Sequence, residues 1–209
     1  VSAADLTSVT KTAIENNPEV QVQWSNFLEA TANQKQARAG YLPSIDLNAA
    51  YGKGDRDFDS RGWFNQGQAE IALTQVLFDG FRIKSKVEQG DYAALKRYYE
   101  LNAGVEQKAF EAAQAYLDVQ RYRDLVKLAE TNFNNHQRVY NQIQQKTKQG
   151  VGNGADLAQI SGRLSLAQTN LMTEQANLND VSARFARIVG VEPSSNLAPV
   201  TINVALPNS

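Results

Sequence analysis

From Ser44 to Glu192 the sequence contains no proline, and from Val105 to Gln149 it contains no glycine either. Proline removes a backbone donor and clashes with the preceding turn, and glycine weakens helix interiors, so long helices are built without them. The tract is rich in Ala, Gln, Leu, Lys and Glu, residues that lose little side-chain freedom in a helix. It predicts one helix from Phe81 to about Lys148, roughly 100 Å long at 1.5 Å per residue. Apolar residues at Ala94, Tyr98, Leu101, Val105, Ala109, Ala112, Tyr116 and Val119 recur at a three-four spacing. A compact domain of 209 residues is far shorter than such a helix, so the chain is expected to contribute to an extended assembly.

The run Gly150-Val151-Gly152-Asn153-Gly154 ends this helix, and Ala155-Asp156 starts another. The second helix carries Leu157, Ile160, Leu164, Ala167, Leu171, Glu174, Leu178, Val181, Phe185 and Ile188, steps of three and four in strict alternation. This is a coiled-coil seam in which Glu174 is the one charged position. Gly190 and Pro193 close it, and the tail from Ser194 to Ser209 reads as linker. Upstream, Asp5 to Asn17 forms a short helix ended by Asn16-Asn17-Pro18, and a second helix runs from Glu19 to Ala39 and stops at Gly40.

Between these helices the period changes to two. Ile45, Leu47, Ala49 and Tyr51 share one face, with Ser44, Asp46 and Asn48 on the other; Ala69, Ile71 and Leu73 alternate likewise with Gln68, Glu70 and Thr74. Two strands of about ten residues follow, joined by a polar loop containing Asp55, Arg56, Asp57, Asp59 and Arg61, with Phe78-Asp79-Gly80 as a turn. Two readings fit. A surface hairpin on a soluble helical rod would pack its apolar face on protein. A piece of transmembrane barrel would present that face to lipid, and the strand length and alternation suit it. A bilayer tolerates strands only in a closed barrel, so this second reading needs several copies sharing one sheet.

Composition removes most other classes. With 21 basic and 22 acidic residues and a net charge of -1, a general nucleic-acid binder is excluded. The absence of Cys removes thiolate chemistry, and the lone His136 cannot build a multi-His metal site. No phosphate-binding, metal-ligating or nucleophilic motif is present, so no enzyme, catalytic residue, metal or cofactor is expected. No apolar run approaches the ~20 residues of a spanning helix. Val1-Ser2-Ala3 has the small-x-small look of the end of a cleaved export signal.

Asp5-Leu6 through Asn16-Asn17-Pro18-Glu19-Val20, Leu42-Pro43-Ser44-Ile45-Asp46-Leu47, Leu73 to Gly80, Ala115-Tyr116-Leu117-Asp118-Val119 and the Gly150–Asp156 element together resemble the TolC family of outer-membrane efflux proteins, in the family's order and over nearly the whole chain. The style is most similar to the branch serving type I secretion. The resemblance implies a mainly α fold with a two-stranded β-hairpin, a long α-helical coiled-coil hairpin plus membrane β-barrel strands, as half of a channel-tunnel protomer. It implies residues 1–41 as periplasmic N-terminal helices, 42–80 as the barrel hairpin, 81–190 as the tunnel hairpin and 191–209 as a linker toward a second repeat. It further implies a homotrimer in the outer membrane, reaching into the periplasm and working with a periplasmic adaptor (membrane fusion) protein and an inner-membrane transporter. The chain matches the first of two repeats, so a shortened protein is expected.

On that resemblance the partner-docking tip is Lys148, Gln149, Gly150, Val151, Gly152, Asn153 and Asp156. Taken alone the same residues make a tight helical hairpin turn with Asp156 as its N-cap, and the two roles are compatible. Ser44, Asp46, Asn48, Gln68, Glu70 and Thr74 would line a wet lumen; on a soluble sheet they would simply face solvent. Tyr41, Tyr51, Trp63 and Phe78 near strand ends suit a membrane interface or ordinary packing. The competing function is a soluble coiled-coil scaffold or adaptor with a hairpin cap.

Overall fold

The computed structural model describes residues 4–54 and 64–200. The element order is α1 (Leu6–Asn16), α2 (Pro18–Ala39), β1 (Ser44–Gly54), β2 (Phe64–Thr74), α3 (Arg82–Lys148) and α4 (Gly154–Val189). Asp5 caps α1, its Oδ1 accepting from Ser8 N at 2.8 Å, and that backbone N–H holds the Asp5 carboxyl below the usual carboxylate range. Asn17 lies in the extended region between α1 and α2, as the following proline requires.

The chain divides into two compact units, Val1–Val22 with Asn102–Ser209, and Gln23–Leu101. In the first unit Val9 and Ala13 of α1, Ala112, Ala115, Tyr116 and Val119 of α3, and Phe185 and Val189 of α4 form one buried cluster. The predicted α4 seam is the inward face: all ten of its positions are buried or half-buried. On α3, no residue past Val119 is buried, and the inward positions toward the tip are only half-covered.

The described part of the tail is docked within the first unit by its backbone. Ala198 N donates to Ala4 O at 2.9 Å and Ala4 N to Asn196 O at 3.2 Å, a parallel bridge between the two ends of the described chain. Beneath it the Tyr116 hydroxyl reaches the carbonyls of Ala4 (3.1 Å) and Ala198, the Gln120 amide donates to Ala198 O, and Arg123 donates to Ser195 O at 3.4 Å. Three side chains on successive turns of α3 thus hold an extended segment by its backbone, a pattern composition does not announce. Burial pushes the Tyr116 phenol up.

In the second unit β1 and β2 form a two-stranded antiparallel sheet that pairs without slip from Ser44↔Thr74 to Gly54↔Phe64. The strands have the expected length but run further toward the loop than the alternation indicated, because Lys53↔Asn65 and Gly54↔Phe64 still pair where the sequence turns polar. Phe81, read from sequence as the first residue of the long helix, lies instead in the left-handed region with Gly80, and the helix begins at Arg82. Asp79 is more than a turn residue: its Oδ2 accepts from Ile83 N at 2.9 Å, satisfying one free N–H in the first turn of α3, and faces Arg82 at 3.9 Å. On α3, Ala94 and Leu101 are buried as expected, whereas Tyr98 is 45% exposed, its ring against Phe27 and Tyr99. Asp91 receives the Gln34 amide and Arg38 across the α2–α3 contact, and these donors, Gln34 first, lower its carboxyl pKa.

Candidate functional site

The seven predicted tip residues fall together in the turn between α3 and α4. Lys148 is the last residue of α3. Gly150 has φ +77°, the left-handed conformation that ends helices, and Val151 N and Gly152 N both donate to Lys146 O at 3.1 Å. Gly152 is dictated by space. A Cβ there would stand 2.7 Å from both the backbone N and the Oγ1 of Thr147. Thr147 is therefore part of the turn, although nothing in its sequence context marks it. Asp156 is not the N-cap that its position suggested. Asn153 caps α4, its side chain accepting from Ala155 N at 2.9 Å, because the helix begins at Gly154, three residues before the start an Asp156 cap would give. Asp156 lies in the first turn, where a carboxylate meets the positive end of the helix dipole. All seven are exposed, and Val151 projects its apolar side chain with 82% of its surface open.

The six predicted lumen residues also share one surface. Ser44 stands opposite Thr74 and Asn48 opposite Glu70, while Asp46 and Gln68 face Ala72 and Ala50. Among the described strand residues, Asp46 and Glu70 are the charges on this face, and Lys53 falls on the other one, near the strand end. Apart from the Lys53–Asn65 pair at its loop end, that other face is an apolar ladder: Ile45 opposite Leu73, Leu47 opposite Ile71, Ala49 opposite Ala69, Tyr51 opposite Gly67. It is also bare, with Ile45, Leu47, Ile71 and Leu73 each 68–74% exposed. A soluble two-layer fold would cover such a face.

At the sheet's helical end Tyr41 and Phe78 are exposed, Phe78 packing edge-to-face on Phe81 at 5.6 Å. Trp63 and the loop residues Asp55, Arg56, Asp57, Asp59 and Arg61 lie outside the described residues. His136 is half-buried with Nδ1 2.9 Å from Asn132 O, a bond within its own helix. No helix among the described residues is long and apolar enough to cross a membrane.

The sequence profile of the family described as "Outer membrane efflux protein" matches residues 9–191. The chain is 25% identical to the "Outer membrane efflux protein BepC" of Brucella suis biovar 1 (strain 1330) over 206 residues, 98% of this chain and 44% of BepC. Among solved structures it is similar to CusC, with a TM-score of 0.75 at 17% identity over 97% of this chain and 48% of that one. It is also similar to the Campylobacter jejuni CmeC outer membrane channel, with a TM-score of 0.73 at 13% identity over 96% of this chain and 45% of CmeC. The chain spans less than half the length of each of these proteins.

Proposed function

Since the chain belongs to the outer membrane efflux protein family, we propose that it supplies part of the wall of an export channel in the outer membrane. β1 and β2 are staves of a lipid-embedded barrel and the α3–α4 hairpin is wall of the periplasmic tunnel. The observation that carries this is the bare apolar ladder backed by a polar one on eleven-residue strands. Lipid covers the first and water the second. Both outer edges of the two-stranded sheet need partners in a bilayer, so the barrel is completed by further strands of the assembly, read here as a homotrimer.

The duct does no chemistry of its own. Ser44, Asp46, Asn48, Gln68, Glu70 and Thr74 line its wet surface and exclude nothing by tight binding. Transport energy comes from an inner-membrane transporter, reached through a periplasmic adaptor that docks on the α3–α4 turn. Lys148, Gln149 and Val151 stand out there on a backbone fixed by Gly150 and Gly152.

Two experiments test the parts separately. The protein at its natural length should sediment with the outer membrane and need detergent for release; recovery in the soluble fraction of broken cells removes the channel. Lys148→Glu, or an insertion at Gly152, should abolish export while the oligomer still assembles. Export surviving both changes places adaptor docking elsewhere.

A further inference from the structure

Glu174 interrupts an α4 seam otherwise made of Leu, Ile, Ala, Val and Phe. Its Oε2 is buried and takes no hydrogen bond from any described residue. A carboxylate oxygen enclosed without a donor costs free energy, and a lone polar residue in a coiled-coil seam lowers stability while fixing register. The position matters as much as the residue. The buried cluster of the first unit takes Phe185 and Val189 from α4, with Val181 and Ile188 packed against it, and nothing N-terminal of Glu174. α4 itself buries two residues on each side of Glu174, Ile160 and Ala167 toward the tip and Phe185 and Val189 away from it, but on the facing length of α3 past Val119 every residue is half-buried or exposed.

We infer that Glu174 is a built-in weak point dividing the α3–α4 hairpin into an anchored part and a tip-ward part that separates on its own. The segment Gly154–Thr173, with the length of α3 it faces, opens below the free energy that unfolds the anchored part. In the duct of the preceding section this is the part of the tunnel wall that opens first. That last step rests on the channel reading; the division of the hairpin does not.

Amide hydrogen exchange on the protein at its natural length decides it, with Glu174→Leu and Glu174→Gln as variants. In the unaltered protein the amides of 157–173 should exchange at least tenfold faster than those of 178–189. Glu174→Leu should slow the tip-ward set at least tenfold and raise the unfolding midpoint by about 3 °C or more. Glu174→Gln should move both in the same direction by less. Uniform exchange along α4 overturns the inference. So does a Glu174→Leu variant that is less stable or fails to fold, since the carboxylate would then be supporting the seam. If exchange slows as expected and export is unchanged, the weak point stands and its role in passage falls.

Discussion

Ala49 and Ala50 are the same residue, one position apart, on opposite faces of β1, and an arginine at each separates lipid from water. Ala49 lies on the Ile45–Leu47–Tyr51 face opposite Ala69, and Ala50 on the Ser44–Asp46–Asn48 face opposite Gln68. β1 has eleven residues, and Ala49 is the middle one. At about 3.4 Å per residue and a tilt of about 40°, such a strand crosses an apolar band of ~25 Å, with Ala49 near its mid-depth. Ala49→Arg should therefore cost about 2–4 kcal/mol, a factor of roughly 30 to 1000 in the folded ratio. Ala50→Arg, its side chain in a water-filled lumen, should stay within about 0.5 kcal/mol. Ala49→Leu supplies the contrast with a sheet packed on protein. Lipid accommodates the larger side chain, whereas a close-packed protein contact would be strained by about 1–3 kcal/mol. Urea titration of the protein folded into phospholipid vesicles reads all three. Equal effects of the two arginines, or a penalty for Ala49→Leu, would refute the assignment of faces.

Three further outcomes follow from the geometry. Gly152→Ala should destabilise by about 1–3 kcal/mol through the Thr147 backbone, while Gly154→Ala, with open space around it, should be neutral or stabilising by up to about 1 kcal/mol; thermal unfolding distinguishes them. Tyr116→Phe should cost only about 1 kcal/mol, because Ala4 O keeps the Ala198 N–H and Ala198 O keeps the Gln120 amide; a denaturant titration measures it. The Asp5 cap should act in one pH window. Its folded carboxyl pKa is lowered, so its stabilising effect is complete above the unfolded carboxylate value of about 4 and is lost as pH falls through the folded one. Asp5→Asn should abolish that part of the acid dependence in a melting series, and an unchanged acid limb would contradict the cap.

Much of this fold is legible in the sequence, and the gaps have local causes. The α4 seam could be read because alternating steps of three and four repeat over ten positions, and the strands because Ile45–Tyr51 and Ala69–Leu73 alternate cleanly. What escaped was backbone geometry. Asn153 and Asp156 are both good caps in composition, and only the left-handed turn at Gly150 determines which one meets the first free N–H. Phe81 follows Gly80 into a conformation that a phenylalanine rarely adopts, so no pattern could flag it. The docking of residues 194–200 depends on pairing with Ala4, far away in sequence, and linker-like composition conceals it. The residues from Lys148 to Asp156 fall in one turn because they are near neighbours in sequence, and Ser44, Asp46, Asn48, Gln68, Glu70 and Thr74 share a face because all stand at even positions of the paired strands.

The central claim is that one face of the β1–β2 sheet lies in lipid. The chain has no cysteine, so single cysteines can be placed at each position of 44–54 and 64–74, labelled with a fluorophore and exposed to quenchers in vesicles. The account predicts an alternating result: odd positions quenched by the lipid-soluble reagent, even positions by the water-soluble one, in both strands and through the centre of each. Quenching of both faces by the aqueous reagent, or protection of the odd positions from both reagents, would contradict it.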